Sequence, residues 1–219
     1  MLKLTGIKQH DVLLVVILTF GLGLRLYGID WGISSLEDFG RGNPGLSVEA
    51  ASFHPDANTL AQATASLRDS IHPRVQVGDQ QWLYSVYGPV FMYLYQGSAW
   101  LFGLVAGFSP FDSGDPDSVD KTRLAGRAVS ALAGSATLWL VYRLSTLAFG
   151  APVGLLASLL LGATALHIQS SHFATVDVLM AFWATWSFLP MVRIALGGHR
   201  NDYIVAGLLI ALATVSTSV

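Results

Sequence analysis

Several long apolar windows run through the chain, and they limit its possible folds more than any other feature. A helix needs roughly 20 mostly apolar residues to cross a bilayer. Five windows meet this need, at about 12–29, 124–146, 151–170, 178–196 and 203–219. Hydrophobic residues make up 53% of the 219 and charged residues 12%, a balance too apolar for an ordinary soluble domain. The sequence therefore predicts an all-α, polytopic transmembrane helical bundle.

The first window, at 12–29, has a basic start, because Lys3 and Lys8 precede it. A signal peptide shares that feature, but no small-x-small cleavage site follows the window. Arg25 and Tyr27 at its end are typical of an uncleaved anchor. We therefore expect a multi-pass protein of the plasma (inner) membrane with a cytoplasmic N-terminus.

A sixth apolar stretch, at 84–107, is long enough to span but rich in Tyr, Trp and Gly. Aromatic residues of this kind favour the headgroup boundary, where a helix lies flat. The sequence then predicts one long extracytoplasmic loop over 30–123 that carries interfacial helices. Arg143 and Arg193 would then share a side with the basic N-terminus, as the positive-inside rule favours for short loops. If the stretch spans instead, Asp177 lies on the opposite side from Asp56.

Composition also excludes several classes of function. The chain has no cysteine, so it forms neither a disulfide nor a thiolate metal site. Its formal net charge of −2 gives no reason to expect a nucleic-acid partner. No Gly-rich phosphate loop of the P-loop type is present.

Ionisable residues near the apolar windows are the candidate functional residues. Placing such a group in the membrane costs several kcal/mol unless it is paired with another group or faces a water-filled cavity. Asp56, in SFHPDANTL, and Asp177, in SSHFATVDVLMAF, are the candidate carboxylates. The alternative for each is a helix N-cap. Arg123 and Arg127 lie four residues apart, on one helical face, where two guanidiniums would bind a phosphate well. Their alternative role is snorkelling to the lipid headgroups.

Two histidines accompany the carboxylates, and they raise the question of a metal. His54 and His172, with Asp56 and Asp177, are ordinary ligands for a divalent ion. No tight spacing supports such a site, since H-x-D is a short pattern that arises by chance. The requirement for a divalent metal ion is left open.

The order of motifs, rather than any one of them, resembles a known family. An apolar first helix is followed by FHPDA, by the aromatic YGPVFMYLYQ, by RAVSALAG, and by YRLSTLAFGAPVGLLASLLLGATALHIQSSHFATVD. This order resembles the C-type membrane glycosyltransferases that use lipid-phosphate sugars, among them the protein O-mannosyltransferases and the aminoarabinose transferases. The resemblance runs from about residue 12 to the end.

The resemblance implies a function and a set of site residues. It implies transfer of a sugar from a polyprenyl-phosphate donor to a protein, lipid or glycan acceptor at the outer membrane face. If Asp56 acts as the base on the face opposite the phosphate, the transfer is expected to invert the anomeric configuration. Asp56 matches the catalytic base of the first outer loop, and Asp177 a second aspartate at the outer end of a later helix. Arg127 matches an arginine that opens the second helix. Arg123, His54 and His172 are expected to help bind the substrate.

Two departures from the family pattern keep other functions open. Ala57 stands where the family usually has a second acidic residue. Family members also continue through further helices, so the chain is expected to be an N-terminal part of a larger enzyme. The alternatives are a non-catalytic or degenerate membrane fragment and a transporter-like protein, although no internal repeat favours transport.

Overall fold

A computed structural model of the chain describes residues 9–31, 33, 55–77, 79–84, 86–111 and 116–216. This part is mainly helical with almost no strand, as the sequence predicts. Its helices are α1 (Gln9–Leu26), α2 (Pro55–Ala65), α3 (Val90–Ala106), α4 (Pro116–Phe149), α5 (Ala151–Gly162), α6 (Ala165–Ser171), α7 (Val176–Ala195) and α8 (Arg200–Val215). A short antiparallel hairpin, β1 (Arg74–Val77) and β2 (Gln80–Leu83), lies between α2 and α3.

Three of the described helices are long and apolar enough to cross a membrane. They are α1, the Asp120–Phe149 part of α4, and α7. The bent pair formed by α5 and α6 is a fourth if its two parts cross together. Helix α3 is apolar but has only 17 residues, and α8 has 16. The fold class is therefore that of an all-α membrane protein.

Helix α4 is longer than its predicted window. It begins at Pro116 and has 34 residues, whereas the apolar window begins only at 124. Proline suits the first turn of a helix because its missing N–H has no intrahelical partner there. The extra turns are polar, so apolar length alone did not reveal them. Arg123 and Arg127 consequently lie well inside α4 rather than at its opening.

The predicted window at 151–170 is two helices rather than one. Helices α5 and α6 meet at an angle of 62°, and Thr164 between them has extended backbone. The Thr164 hydroxyl donates to the Leu160 carbonyl at 2.8 Å, so it competes with the backbone for a helix acceptor. Gly162 just before it is a weak helix former. Both residues favour a break at this point.

Helices α1 and α5 both contact α4 at Leu138. Gly21 of α1 lies so close that an added Cβ would overlap the Leu138 side chain. From α5, the Ser158 hydroxyl donates to the Leu138 carbonyl at 3.0 Å. Leu138 and Ser158 are fully buried. These contacts fix three helices around one level of the bundle.

One hydrophobic cluster gathers elements from distant parts of the sequence at one end of the bundle. Its members come from α2 and the turn after it, from α3, from α4 and from the start of α7, and include Leu60, Ala63, Leu67, Phe91, Met92, Tyr95, Ala133, Val176, Val178 and Leu179. The C-terminal end of α8 reaches this region too, because an added Cβ on Gly88 would overlap the Val215 carbonyl. We call this the α2 end of the bundle.

Candidate functional site

Arg127 connects α4 to the chain that leaves α1. Its Nη1 atom donates to the carbonyl of Ile29 at 2.7 Å and to that of Trp31 at 2.8 Å. These carbonyls follow the end of α1 and lack helical partners, so a guanidinium satisfies them well. Both hydrogen bonds are donated by the same nitrogen, Nη1, which is one of the three nitrogens of the guanidinium. Arg127 is therefore a structural clamp, a role that the sequence did not predict.

Arg123 and Arg127 both act on Tyr95 of α3. The two positive charges face a tyrosine hydroxyl that is fully buried and has no hydrogen-bond partner among the described residues. Burial raises the pKa of Tyr95 well above its usual value, and the two arginines oppose that rise. Gly126, on α4 between them, allows this packing, because a Cβ there would lie 2.6 Å from the Tyr95 ring.

His172 lies in the turn between α6 and α7, close to the end of α1. Burial lowers its pKa, a hydrogen bond with the Tyr27 backbone opposes this, and the charges of Arg127 and Arg25 lower it further. The imidazole is therefore neutral at neutral pH. Its Nε2 atom is buried without a hydrogen-bond partner in the described part of the chain. The structure thus brings His172 and Arg127 to the same end of the bundle.

Asp177 is the second residue of α7 and is exposed. The N-cap position belongs to Thr175, whose backbone is extended and whose side chain makes no capping hydrogen bond. The N-cap role is therefore wrong for Asp177, although a carboxylate in a first turn is still stabilised by the helix dipole. No described residue forms an ion pair or hydrogen bond with it. Its exposed carboxylate lies in the first turn of α7, at the α2 end.

Asp56 and His54 fall at the limit of what the structure describes. Asp56 is the second residue of α2, so it too lies past the N-cap position, and its side chain lies outside the description. His54 lies outside the described residues. Helix α2 itself contributes Leu60 and Ala63 to the cluster that holds Val176 and Val178 of α7. The helices that carry the two candidate carboxylates therefore pack into one core.

Arg25 and His167 form a buried polar pair that the sequence analysis missed. Arg25 has no exposed surface, and its Nη2 atom lies 2.8 Å from Nδ1 of His167. Its Nη1 atom donates to the Gly21 carbonyl at 2.8 Å. A guanidinium only donates, so Nδ1 is the unprotonated nitrogen and the ring proton is on Nε2. The sequence indicates only that Arg25 ends an uncleaved anchor, although an arginine within an apolar window is itself a signal of function.

Among the described side chains, which do not include those of His54 and Asp56, no group of three or more His, Asp or Glu residues converges as a metal site would require.

Comparison with known proteins finds a similarity to one family over part of the chain. Residues 119–218 match the family described as dolichyl-phosphate-mannose-protein mannosyltransferase. This segment contains most of α4 and all of α5 to α8. The match confirms the resemblance to lipid-phosphate-sugar-dependent membrane glycosyltransferases over that segment. No curated protein and no solved structure matches the chain.

Proposed function

We propose that the chain is part of a membrane glycosyltransferase that moves a sugar from a polyprenyl-phosphate donor to an acceptor at the extracytoplasmic face. The observation that carries this proposal is the gathering of polar groups at the α2 end. Arg123 acts electrostatically on Arg127 there, and Arg127 acts on His172, which lies in the turn that leads into α7. The match of residues 119–218 to a mannosyltransferase family supports the same chemistry.

In the proposed reaction, Asp56 is the general base. It accepts the proton of the acceptor hydroxyl or amine while that group attacks the anomeric carbon. The bond between the anomeric carbon and the phosphate oxygen breaks, and polyprenyl phosphate leaves from the opposite face of the sugar. Attack opposite the leaving group inverts the anomeric configuration, as in inverting glycosidases. Asp177 orients the acceptor, and His54 and His172 contact the substrate.

Arg127 and Arg123 are the proposed phosphate ligands. Their charges are close enough to act together on Tyr95, and a guanidinium binds phosphate through paired hydrogen bonds. The Ile29 and Trp31 carbonyls hold Arg127 in place through Nη1, and no described residue accepts a hydrogen bond from its Nε or Nη2. The negative charges of Asp30 and Asp120 also act on Arg127, so the phosphate competes with two carboxylates for it.

Replacing Arg127 tests the phosphate role. We expect Arg127→Ala to raise the KM for the lipid-phosphate donor about tenfold or more, because a charge-assisted phosphate contact is lost from the bound donor. Arg127→Lys keeps the charge and should lose less. The measurement is the initial rate of sugar transfer in isolated membranes at several donor concentrations. Arg74→Ala, at an exposed position of strand β1, is the control, and equal effects of the two Ala variants would contradict the proposal.

The predicted topology has its own test, since the chain has no cysteine to interfere. Ile71 and Ser109 are exposed and lie before and after α3. We expect single cysteines at both positions to react with a membrane-impermeant thiol reagent added outside. A cysteine at exposed Leu196, between α7 and α8, should react only after the membrane is opened. Labelling of Ile71→Cys and Ser109→Cys from opposite sides would mean that α3 crosses the bilayer.

A further inference from the structure

The end of the bundle opposite the α2 end carries a cleft that has no part in the proposed reaction. Arg143 of α4 lies about 24 Å along the helix axis from Arg127, at about 1.5 Å per residue. The cleft has a volume of about 300 Å³. It lies between α4, α7 and the start of α8, and its lining includes Trp139, Arg143, Trp186, Arg193, Asn201 and Asp202.

The charges of this cleft are unbalanced. Arg193 pairs with Asp202 at 3.7 Å, and Asp202 also accepts a hydrogen bond from the His199 backbone at 2.9 Å. No carboxylate in the described part of the chain pairs with Arg143, which lies over the Trp139 ring at 5.7 Å. One positive charge is therefore in excess. Two arginines from different helices face one space with a single carboxylate between them.

The cleft lies at a level of the bundle where a ligand could come from the lipid bilayer. Arg143 and Arg193 each lie in the last turns of a helix that is long and apolar enough to span a membrane. Trp139 and Trp186 beside them are 40% and 37% exposed, and tryptophan of this kind is enriched where hydrocarbon meets headgroups. In a bilayer, a cleft at this level would place its polar part near lipid phosphates and its apolar part near their acyl chains.

We propose that this cleft binds the headgroup of one anionic phospholipid between Arg143 and Arg193. The two guanidiniums hold the lipid phosphate and the two indoles pack against the glycerol and upper acyl region. Basic pockets between transmembrane helices bind anionic headgroups in this way. The site is independent of the proposed sugar transfer, because it lies at the other end of the bundle and shares no residue with it.

The experiment compares lipid retention by variants of the whole chain in nanodiscs of phosphatidylcholine with and without phosphatidylglycerol. We expect native mass spectrometry to show phosphatidylglycerol bound to the unmodified protein, and Arg143→Gln to lower its occupancy about fivefold, the effect of losing one arginine near a lipid surface. Arg200→Gln is the matched control, since Arg200 is exposed at the start of α8 and does not line the cleft. It should leave the occupancy unchanged.

Three results would overturn the proposal. Equal retention of phosphatidylcholine would mean that the arginines only snorkel among lipids in general. A loss with Arg200→Gln as large as that with Arg143→Gln would indicate a diffuse charge effect. Binding of glycerol 3-phosphate as tight as that of the lipid would indicate a soluble phosphate ligand. Where Arg143→Gln lowers the melting temperature in phosphatidylcholine alone, Arg143→Lys is used instead, and it should still lose the paired hydrogen bonds.

Discussion

Asp56→Asn should lower the rate of sugar transfer by about 100-fold or more, the usual scale for the loss of a positioned general base. Asparagine has nearly the same shape but does not accept the proton of the acceptor. The KM for the donor should change little, because Asp56 acts on the acceptor in the transition state. The measurement is the initial transfer rate from a labelled polyprenyl-phosphate sugar in membranes that contain the protein at a known level.

The control for Asp56 is Asp69→Asn, which makes the same change at an exposed position just after α2. It should transfer sugar at the unmodified rate. Helix α2 begins at Pro55, so an N-cap role does not explain an effect at Asp56, and a stability change is not expected. A fully active Asp56→Asn protein would remove Asp56 from the mechanism and leave Asp177 as the remaining carboxylate to test.

His167→Leu should lower the free energy of unfolding by about 2–3 kcal/mol, because it leaves a buried guanidinium without its imidazole acceptor. Arg25 has no exposed surface, so water cannot replace the lost partner. The measurement is equilibrium unfolding in lipid bicelles. His72→Leu, in an exposed turn before β1, is the matched control and should change the stability little.

The double variant Arg25→Leu/His167→Leu distinguishes a polar pair from simple packing. Removing both partners removes the buried charge together with its acceptor, and such replacements are often neutral. We therefore expect the double variant to recover most of the stability lost in His167→Leu. A double variant less stable than the single one would show that the two side chains contribute mainly as packing.

The sequence predicted the fold well because the bilayer imposes one simple length rule. Apolar windows at 12–29, 124–146 and 178–196 correspond to α1, to part of α4 and to α7. The polar first turns of α4 were missed because a helix that continues beyond the apolar layer no longer needs apolar residues. The bend between α5 and α6 was missed because the apolar window continues through it, although Gly162 and Thr164 both disfavour a continuous helix.

The candidate site was only partly predictable, and the reasons are geometric. Arg123 and Arg127 were found because four-residue spacing places side chains on one helical face. His167 was missed because its partner, Arg25, is 142 residues away in the sequence. A local sequence pattern does not predict a contact over that separation. The clamp at Arg127 was missed for the same reason, since its acceptors are backbone atoms that carry no signal in the sequence.

The clamp at Arg127 has a consequence for how this region tolerates change. Its acceptors are the carbonyl oxygens of residues 29 and 31, which every amino acid supplies. The side chains at these two positions can therefore vary among related proteins without loss of the clamp. The number of residues between the end of α1 and these two carbonyls cannot vary in the same way. One residue inserted between Leu26 and Ile29 would move both carbonyl oxygens away from Arg127. Homologues should accordingly differ in residue type here but keep the same number of residues.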